Sequence, residues 1–234
     1  MAPLVSTDIL NIVLLGPNGA GKGTQAQLLT QAYNLRHFVT GELLKHEMKR
    51  RTAIGKKVDR IVRQGKLVPD AVVKQLLTRY LKSVPKKIGL VIDGSPRKLS
   101  QKKMIDRMLT KAQRRSIALL IDISEAEAVR RLKKRKICVG CGNRTSVRDL
   151  SVAECRACGG HLVTRVDDQP QIVRRRLQVY RRQVLPVVRA YQREGRLYRI
   201  NAERSRRAVF ASIVRLLTQI GFTPNNLDQL QTRT

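Results

Sequence analysis

Residues 11–24, Asn-Ile-Val-Leu-Leu-Gly-Pro-Asn-Gly-Ala-Gly-Lys-Gly-Thr, constrain the fold more than any other stretch of this 234-residue chain. The apolar residues 12–15 predict a buried strand, which ends at Gly16. Gly21 and Lys22 then open a predicted helix, and this spacing is typical of a phosphate-binding loop. The glycines let backbone N–H groups turn toward a phosphate, and the helix N-terminus adds a positive dipole end. A ligand that carries phosphate is therefore favoured over a plain strand-to-helix turn.

The loop departs from the common form at Gly23, where most such loops place the Ser or Thr that holds Mg²⁺, and the hydroxyl follows at Thr24. Residues 21–25, Gly-Lys-Gly-Thr-Gln, resemble the adenylate kinases and their nucleoside monophosphate kinase relatives. The loop also resembles that of transporter ATPases, but the Leu-Ser-Gly-Gly-Gln signature of those proteins is absent. The kinase resemblance implies an ATP site whose loop residues are Gly19, Ala20, Gly21, Lys22, Gly23 and Thr24.

The length fits one α/β domain with one or two insertions and a sizeable core. Aromatic residues make up only 3%, so Leu, Ile, Val and Ala must build that core. No apolar run approaches the roughly 18 residues of a membrane span, and the first ten residues lack the pattern of a secretory signal. We therefore expect a cytoplasmic protein with no membrane contact, and the family suggests a monomer.

The charge is unusual, because 48 Lys and Arg stand against 17 Asp and Glu and give a net charge of +31. The surplus is spread along the whole chain. RNA or a ribosome is one partner that such a basic surface allows, through phosphate contacts. The other interpretation is that solvated faces simply carry Lys and Arg. Composition leaves both open.

The segment at 40–45, Thr-Gly-Glu-Leu-Leu-Lys, is similar to the family's Thr-Gly-Asp-x-Leu-Arg, which opens the monophosphate site. Glu42 replaces Asp and Lys45 replaces Arg, and a lysine offers a point charge where arginine offers a two-pronged fork. Weaker AMP binding is the expected consequence. The resemblance implies these AMP-binding residues: Thr40, Lys45, Lys66, Leu67, Val68, Gly94, Arg97, Gln101, Arg165 and Arg176.

A second buried strand is predicted at 88–93, and Asp93 stands at its carboxyl end, where an acid can order Mg²⁺-bound water beside the loop. Asp-Gly-Ser-Pro-Arg follows, which resembles the family's Asp-Gly-Phe-Pro-Arg. The resemblance implies that Arg97 holds the AMP phosphate and the transferring group. Ser95 replaces the packing Phe. Thr40 and Gln101 favour AMP over UMP or CMP.

The residues at 124–127, Ser-Glu-Ala-Glu, form the pattern of a capping box that opens a helix. That helix ends in a basic run, where the family's Arg-x-x-x-Arg pattern implies Arg131 against the ATP adenine and Arg135 on the phosphates. Further along, Arg176 matches the arginine that points into the family's cleft. Its neighbours Arg174 and Arg175 are interpreted as surface charges.

Four cysteines form two Cys-x2-Cys pairs, Cys138 with Cys141 and Cys155 with Cys158, and a glycine follows each pair. This spacing predicts a structural zinc site with four thiolate ligands. Two disulfides are disfavoured because nothing suggests secretion. His161 is a spare ligand that a closed four-thiolate site does not need. The resemblance places the cysteines in a lid that closes over ATP.

After the lid, Arg-Val-Asp-Asp at 165–168 resembles the family's Arg-x-Asp-Asp. The resemblance implies that Arg165 contacts the phosphates and that Asp167 and Asp168 latch onto basic groups of the lid. Asp168 is also expected to cap the helix that opens at Pro170.

Together these patterns predict an α/β fold: a P-loop NTPase-type parallel sheet flanked by helices, with a helical insertion and a four-cysteine zinc lid. The expected parts are a core (1–38, 69–133 and 169–234), a monophosphate-binding insertion (39–68) and a lid (134–168). The expected reaction is Mg²⁺-dependent transfer between ATP and AMP to give two ADP. The cations expected to carry it are Lys22, Arg97, Arg135, Arg165 and Arg176. Two alternatives stay open: an RNA- or ribosome-associated relative with reduced or lost activity, and a kinase for another nucleoside monophosphate.

Overall fold

The structure is a computed structural model that describes residues 9–64, 66–147, 151–165 and 168–225. Five parallel strands form its central sheet, in the order β2–β3–β1–β4–β8. Their bounds are β1 Asn11–Leu15, β2 Arg36–Val39, β3 Leu90–Asp93, β4 Ile117–Asp122 and β8 Leu197–Asn201. The predicted α/β class with a parallel sheet is confirmed.

The sheet is buried on both faces, which explains why its central strands read as continuous apolar runs. Along β1, Ile12 and Leu14 pack on one side, while Val13 and Leu15 pack on the other. Nine α-helices are described: α1 Lys22–Tyr33, α2 Thr40–Lys49, α3 Ala53–Arg63, α4 Asp70–Ser83, α5 Leu99–Lys111, α6 Glu125–Lys133, α7 Pro170–Val179, α8 Leu185–Arg193 and α9 Arg206–Gln219.

The helices divide between the two faces of the sheet. Helices α1, α6, α7 and α9 pack on one face, and α2, α3, α4, α5 and α8 pack on the other. A π-helical segment, Tyr180–Val184, joins α7 to α8 into one long helical stretch. None of the described helices is long and apolar enough to cross a membrane.

A second, smaller sheet lies between α6 and α7 and contains the cysteines. Its strands are β5 Arg135–Cys138, β6 Arg144–Ser146 and β7 Leu162–Thr164, which pair antiparallel in the order β6–β5–β7. A core of its own, formed by Cys138, Val147, Cys155 and Leu162, holds this sheet together. The five-stranded sheet is thus the scaffold, and the three-stranded sheet is a separately packed appendage.

Two predicted helix caps differ from the structure. Ser124 accepts a hydrogen bond from the Glu127 N–H at 3.3 Å, as expected. The Ser124 N–H, however, donates to Glu203 at 2.9 Å and not to Glu127, whose carboxylate is taken by two arginines. The prediction that Asp168 caps α7 is wrong, since the cap residue is Gln169 and makes no side-chain bond.

Candidate active site

The loop after β1 has the shape that its glycines predict. Gly16 has φ near +136°, and a Cβ there would lie 2.3 Å from the Ile121 carbonyl oxygen, so only glycine lets the loop pass β4. The loop folds around the Lys22 amine, which donates to the carbonyl oxygens of Gly16 at 2.7 Å and Pro17 at 2.8 Å. Lys22 is thereby fixed at the start of α1, beside the carboxyl ends of the central strands.

Burial, together with the nearby Arg97, Arg135 and Arg176, lowers the pKa of the Lys22 amine to about 8, although Asp93 acts in the opposite direction. These groups come from four different elements of the chain. Their mutual influence shows that the fold brings four cations and one carboxylate to one place. A centre with this excess of positive charge is suited to bind a strongly anionic group.

A cleft of about 1120 Å³ opens above this centre. Every residue predicted to bind ATP or AMP lines it, from both insertions and the core: Gly19, Ala20, Gly21, Lys22, Gly23, Thr24, Thr40, Lys45, Lys66, Leu67, Val68, Gly94, Arg97, Gln101, Arg131, Arg135, Arg165 and Arg176. Sites that the sequence scatters over more than 150 positions therefore share one cavity.

The end of β3 faces the phosphate-binding loop. A Cβ on Gly23 would lie 3.7 Å from the Asp93 carboxylate, so this acid stands directly beside the first turn of α1. The His37 imidazole lies on the other side of Asp93, with Nε2 3.9 Å from Oδ2. Burial lowers the His37 pKa, although Asp93 and Glu42 act in the opposite direction. A neutral His37 leaves the Asp93 carboxylate available to a cation, and these oxygens suit Mg²⁺.

In the loop after β3, Ser95 does more than leave space where the family has Phe. Its hydroxyl lies 2.9 Å from the hydroxyl of Thr40, and both residues are buried. Gln101 braces the same loop, because its side-chain oxygen accepts from the Arg97 N–H at 2.8 Å. Arg97 in turn donates from Nε to the Gly94 carbonyl at 2.9 Å. The loop after β3 is therefore tied at three points.

On the lid side, Arg135 donates from Nε to the Asp168 carboxylate at 2.7 Å and also from its terminal amine. The Asp168 side chain is fully buried. Arg131 donates to Glu127 at 2.6 Å and to the Ala202 carbonyl at 2.7 Å, which fixes its guanidinium at the wall of the cleft. The second predicted latch residue, Asp167, lies outside the described residues.

The four cysteine sulfurs lie within 4.8 Å of one another, and none of the four cysteines is in a disulfide. The Sγ atoms of Cys138 and Cys158 are 3.5 Å apart, and those of Cys141 and Cys155 are 3.8 Å apart. Four thiolates at about 2.3 Å from a tetrahedral zinc would be separated by about 3.8 Å. The cysteine cluster could therefore hold zinc, and it does not include His161.

Sequence reasoning missed several residues of the cleft. His37, on β2, is one of them, and the others include four cations: Arg130, Lys134, Arg204 and Arg206. Arg175, interpreted as a surface charge, donates to the Gln64 carbonyl at 3.0 Å and so joins α7 to the helical insertion.

Comparison with known proteins gives a consistent answer. The adenylate kinase family model matches residues 14–196. The chain belongs to the adenylate kinase family. Adenylate kinases of Thermosipho melanesiensis and Agathobacter rectalis are similar to it, with 33% identity over 212 residues and 35% over 216. In both cases the similarity covers 89% of this chain and 99% of the relative.

An adenylate kinase of Methanocella arvoryzae is 35% identical over 212 residues, which cover 87% of this chain and 96% of the relative. Membership of the adenylate kinase family confirms the resemblance drawn from residues 21–25 and from the later motifs. The described residues also carry a helical pair, α2 and α3, and a small sheet beside the clustered cysteines.

Proposed function

We propose that this protein catalyses reversible, Mg²⁺-dependent phosphoryl transfer from ATP to AMP, which yields two ADP. The observation that carries the proposal is that Arg97, Arg135, Arg176 and Asp93 all lie close enough to act on Lys22 in one cleft. Phosphoryl transfer needs little covalent help from a protein and depends on in-line positioning and on cations around the equatorial oxygens. The four cations that line the cleft support the proposal, and so does the lining that residues from distant parts of the chain share.

In the proposed reaction a phosphate oxygen of AMP attacks the γ-phosphorus of ATP while the bond to the β–γ bridging oxygen breaks. The departing ADP keeps that oxygen, and the acceptor becomes the second ADP. Lys22 neutralises charge on the β- and γ-phosphates, and the arginines hold the moving group in line. Arg165 lines the same cleft and is the fifth cation of the proposed set.

Asp93 is proposed to hold the magnesium ion through water molecules, next to the phosphate-binding loop. Mg²⁺ supplies charge neutralisation at the β- and γ-oxygens and usually keeps several waters. The Gly23 substitution fits this arrangement, because the absent side chain leaves the space between α1 and Asp93 open. The hydroxyl of Thr24 lies one position further along the same turn.

The two insertions are proposed to move over the nucleotides. In this proposal 39–68 binds the monophosphate, 134–168 is the lid, and the remainder (1–38, 69–133 and 169–234) is the core. Closure would exclude water and so prevent simple hydrolysis of ATP. A structural zinc ion, held by Cys138, Cys141, Cys155 and Cys158, would keep the lid rigid without taking part in the chemistry.

AMP is the proposed acceptor, and Thr40 and Gln101 are its proposed specificity residues. The test is an acceptor panel of AMP, GMP, CMP and UMP with ATP and Mg²⁺, read as the diphosphates formed. We expect AMP to be the best acceptor. Its KM should be higher than with an arginine at position 45, because Lys45 offers only one point charge. A better rate with another monophosphate would assign the protein to that acceptor instead. Absence of transfer to any of them would favour the RNA- or ribosome-associated alternative.

A further inference from the structure

We infer that the surface formed by α5 and α8 binds a nucleic acid strand through its phosphates. Two helices that pack on each other carry this surface: Lys103, Arg107 and Lys111 recur every fourth residue of α5, and Arg182, Arg189 and Arg193 follow at helical spacing in the stretch that ends in α8. We refer to these six residues as the α5–α8 face. All six side chains are exposed, and none of them lines the nucleotide cleft. The inference is independent of the proposed kinase activity.

The six cations of this face are not neutralised by neighbouring acids. Residues 170–193 contain seven arginines and no Asp or Glu. Asp106 on α5 and Glu194 after α8 are both paired with Lys102, whose amine lies 2.7 and 2.6 Å from them, and both also pair with Arg196. Within the described parts of the chain, no carboxylate pairs with any of the six.

Other arginines in the same helical stretch and just after it are, in contrast, bonded to acids or carbonyl groups of the protein. Arg181 is paired with Glu125, and Arg175 is bonded to the Gln64 carbonyl. Arg196 is bound to Asp106 at 2.9 Å and lies over the Tyr191 ring. The charges of these neighbouring arginines are therefore used in contacts within the fold, whereas the charges of the α5–α8 face are available to a partner.

The shape of the face suits a polyanion. A groove of about 530 Å³ lies between the start of α5 and α8, and it is lined by Leu99, Pro186, Arg189, Gln192 and Arg193. Arg182 and Arg193 are separated by about 16 Å along a helix, a span of about five phosphates in a duplex strand. Arginine forks match phosphate oxygens in two-pronged geometry.

The composition of the face favours nucleic acid over a membrane. Leu99, 40% exposed, is its single large exposed apolar side chain among the residues described. A membrane-bound helix needs a broad apolar face to insert, and this face has none. Aromatic side chains that could stack bases are not exposed on α5 or α8 either. Binding is therefore expected to be independent of base sequence.

The test measures binding of the full chain to a labelled single-stranded RNA of about 20 nucleotides by fluorescence anisotropy. Six phosphate contacts predict that the logarithm of the association constant falls against the logarithm of salt concentration with a slope of about −4. Arg189→Glu combined with Arg193→Glu should lower the affinity at least about tenfold and flatten the slope by about 1.4. ADP formation by this variant should match that of the wild type.

Arg215 provides a matched control, because it is an exposed arginine on α9, on the opposite face of the sheet. Arg193→Glu should weaken RNA binding several-fold more than Arg215→Glu, although both variants change the net charge equally. If the charge reversals unfold the protein, Arg189→Gln with Arg193→Gln removes the contacts more gently and should reduce the slope by the same amount.

Three results would overturn the inference. Equal losses in Arg193→Glu and Arg215→Glu would show diffuse attraction to the whole surface. Displacement of the RNA by saturating ATP without AMP would place the strand in the nucleotide cleft. Binding to phosphatidylserine vesicles without binding to RNA would make the partner a membrane.

Discussion

The carboxylate of Asp168 is fully buried and receives two hydrogen bonds from the guanidinium of Arg135, with Nε at 2.7 Å. Arg135 is the first residue of β5 in the small sheet, and Asp168 lies just before α7, so the pair joins these two elements. Arg135 also faces Lys22 across the cleft. The same carboxylate therefore anchors one end of the appendage and positions a proposed catalytic cation.

Replacing Asp168 with Asn should reduce both stability and turnover. The loss of a buried charge partner is expected to cost about 2–3 kcal/mol in the free energy of unfolding. A displaced Arg135 should lower kcat about ten- to a hundredfold. Urea unfolding and ADP formation measure the two effects. Asp122→Asn is the control, since its partner Arg199 is an exposed arginine, and it should cost less than about 1 kcal/mol.

The hydroxyl pair of Ser95 and Thr40 predicts a coupled effect on the monophosphate side. Ser95→Ala leaves the buried Thr40 hydroxyl without this partner and should cost about 1–2 kcal/mol. In a double-mutant cycle with Thr40→Val, the two changes should be non-additive by about 1 kcal/mol. Additive losses in unfolding free energy would show that the 2.9 Å contact contributes nothing.

The lowered pKa of Lys22 predicts proton uptake when nucleotide binds. With a pKa of about 8 in the free protein, the amine is mostly neutral at pH 9. Phosphate oxygens favour its charged form, so ATP binding at that pH should take up close to one proton. Calorimetry in buffers of different ionisation enthalpy measures this uptake.

The sign of this effect also fixes its pH window. Below pH 8 the free amine is already charged, and the uptake due to Lys22 should disappear by about pH 6.5. Lys22→Arg should abolish the uptake at pH 9, because arginine stays charged at every accessible pH. An unchanged uptake in that variant would assign the proton to another group. For the free protein, the lowered pKa means that stability increases as pH rises from 8 toward the unfolded value of 10.5.

The cysteine cluster predicts one bound zinc ion per chain, measured by atomic absorption on protein that was purified without chelator. Removal of the metal should lower the thermal midpoint, because four uncompensated thiols then replace the centre of the small sheet. Cys155→Ser should lose the metal. A metal-free wild type with an unchanged midpoint would contradict a structural zinc site.

Residues 11–24 and the later motifs predicted the sheet, the helical pair and the cleft, because strong local patterns determine them. Buried parallel strands need continuous apolar runs, and a phosphate-binding loop needs glycines where side chains would collide, as at Gly16. The predicted strand and helix types agree with the structure for this reason.

The details that sequence reasoning missed depend on partners far along the chain. Asp168 was expected to bond to a basic group of the lid, but its partner, Arg135, lies 33 residues earlier and no local pattern could single it out. Half of the predicted capping box is replaced by Glu203, which approaches Ser124 from the end of β8. Ser95 was interpreted as a missing aromatic, whereas it bonds to Thr40. A single sequence does not encode such pairings in any local pattern.

ADP formation from ATP, AMP and Mg²⁺, by the wild type and by Arg97→Ala, is the most direct measurement of whether the protein transfers a phosphoryl group from ATP to AMP. The wild type should form ADP with robust turnover, and the rate should fall at least about a thousandfold in Arg97→Ala. Arg215→Ala, which changes an exposed arginine of α9 that does not line the cleft, should leave it unchanged. Absence of ADP formation by folded wild-type protein that retains its zinc would contradict the proposed kinase activity.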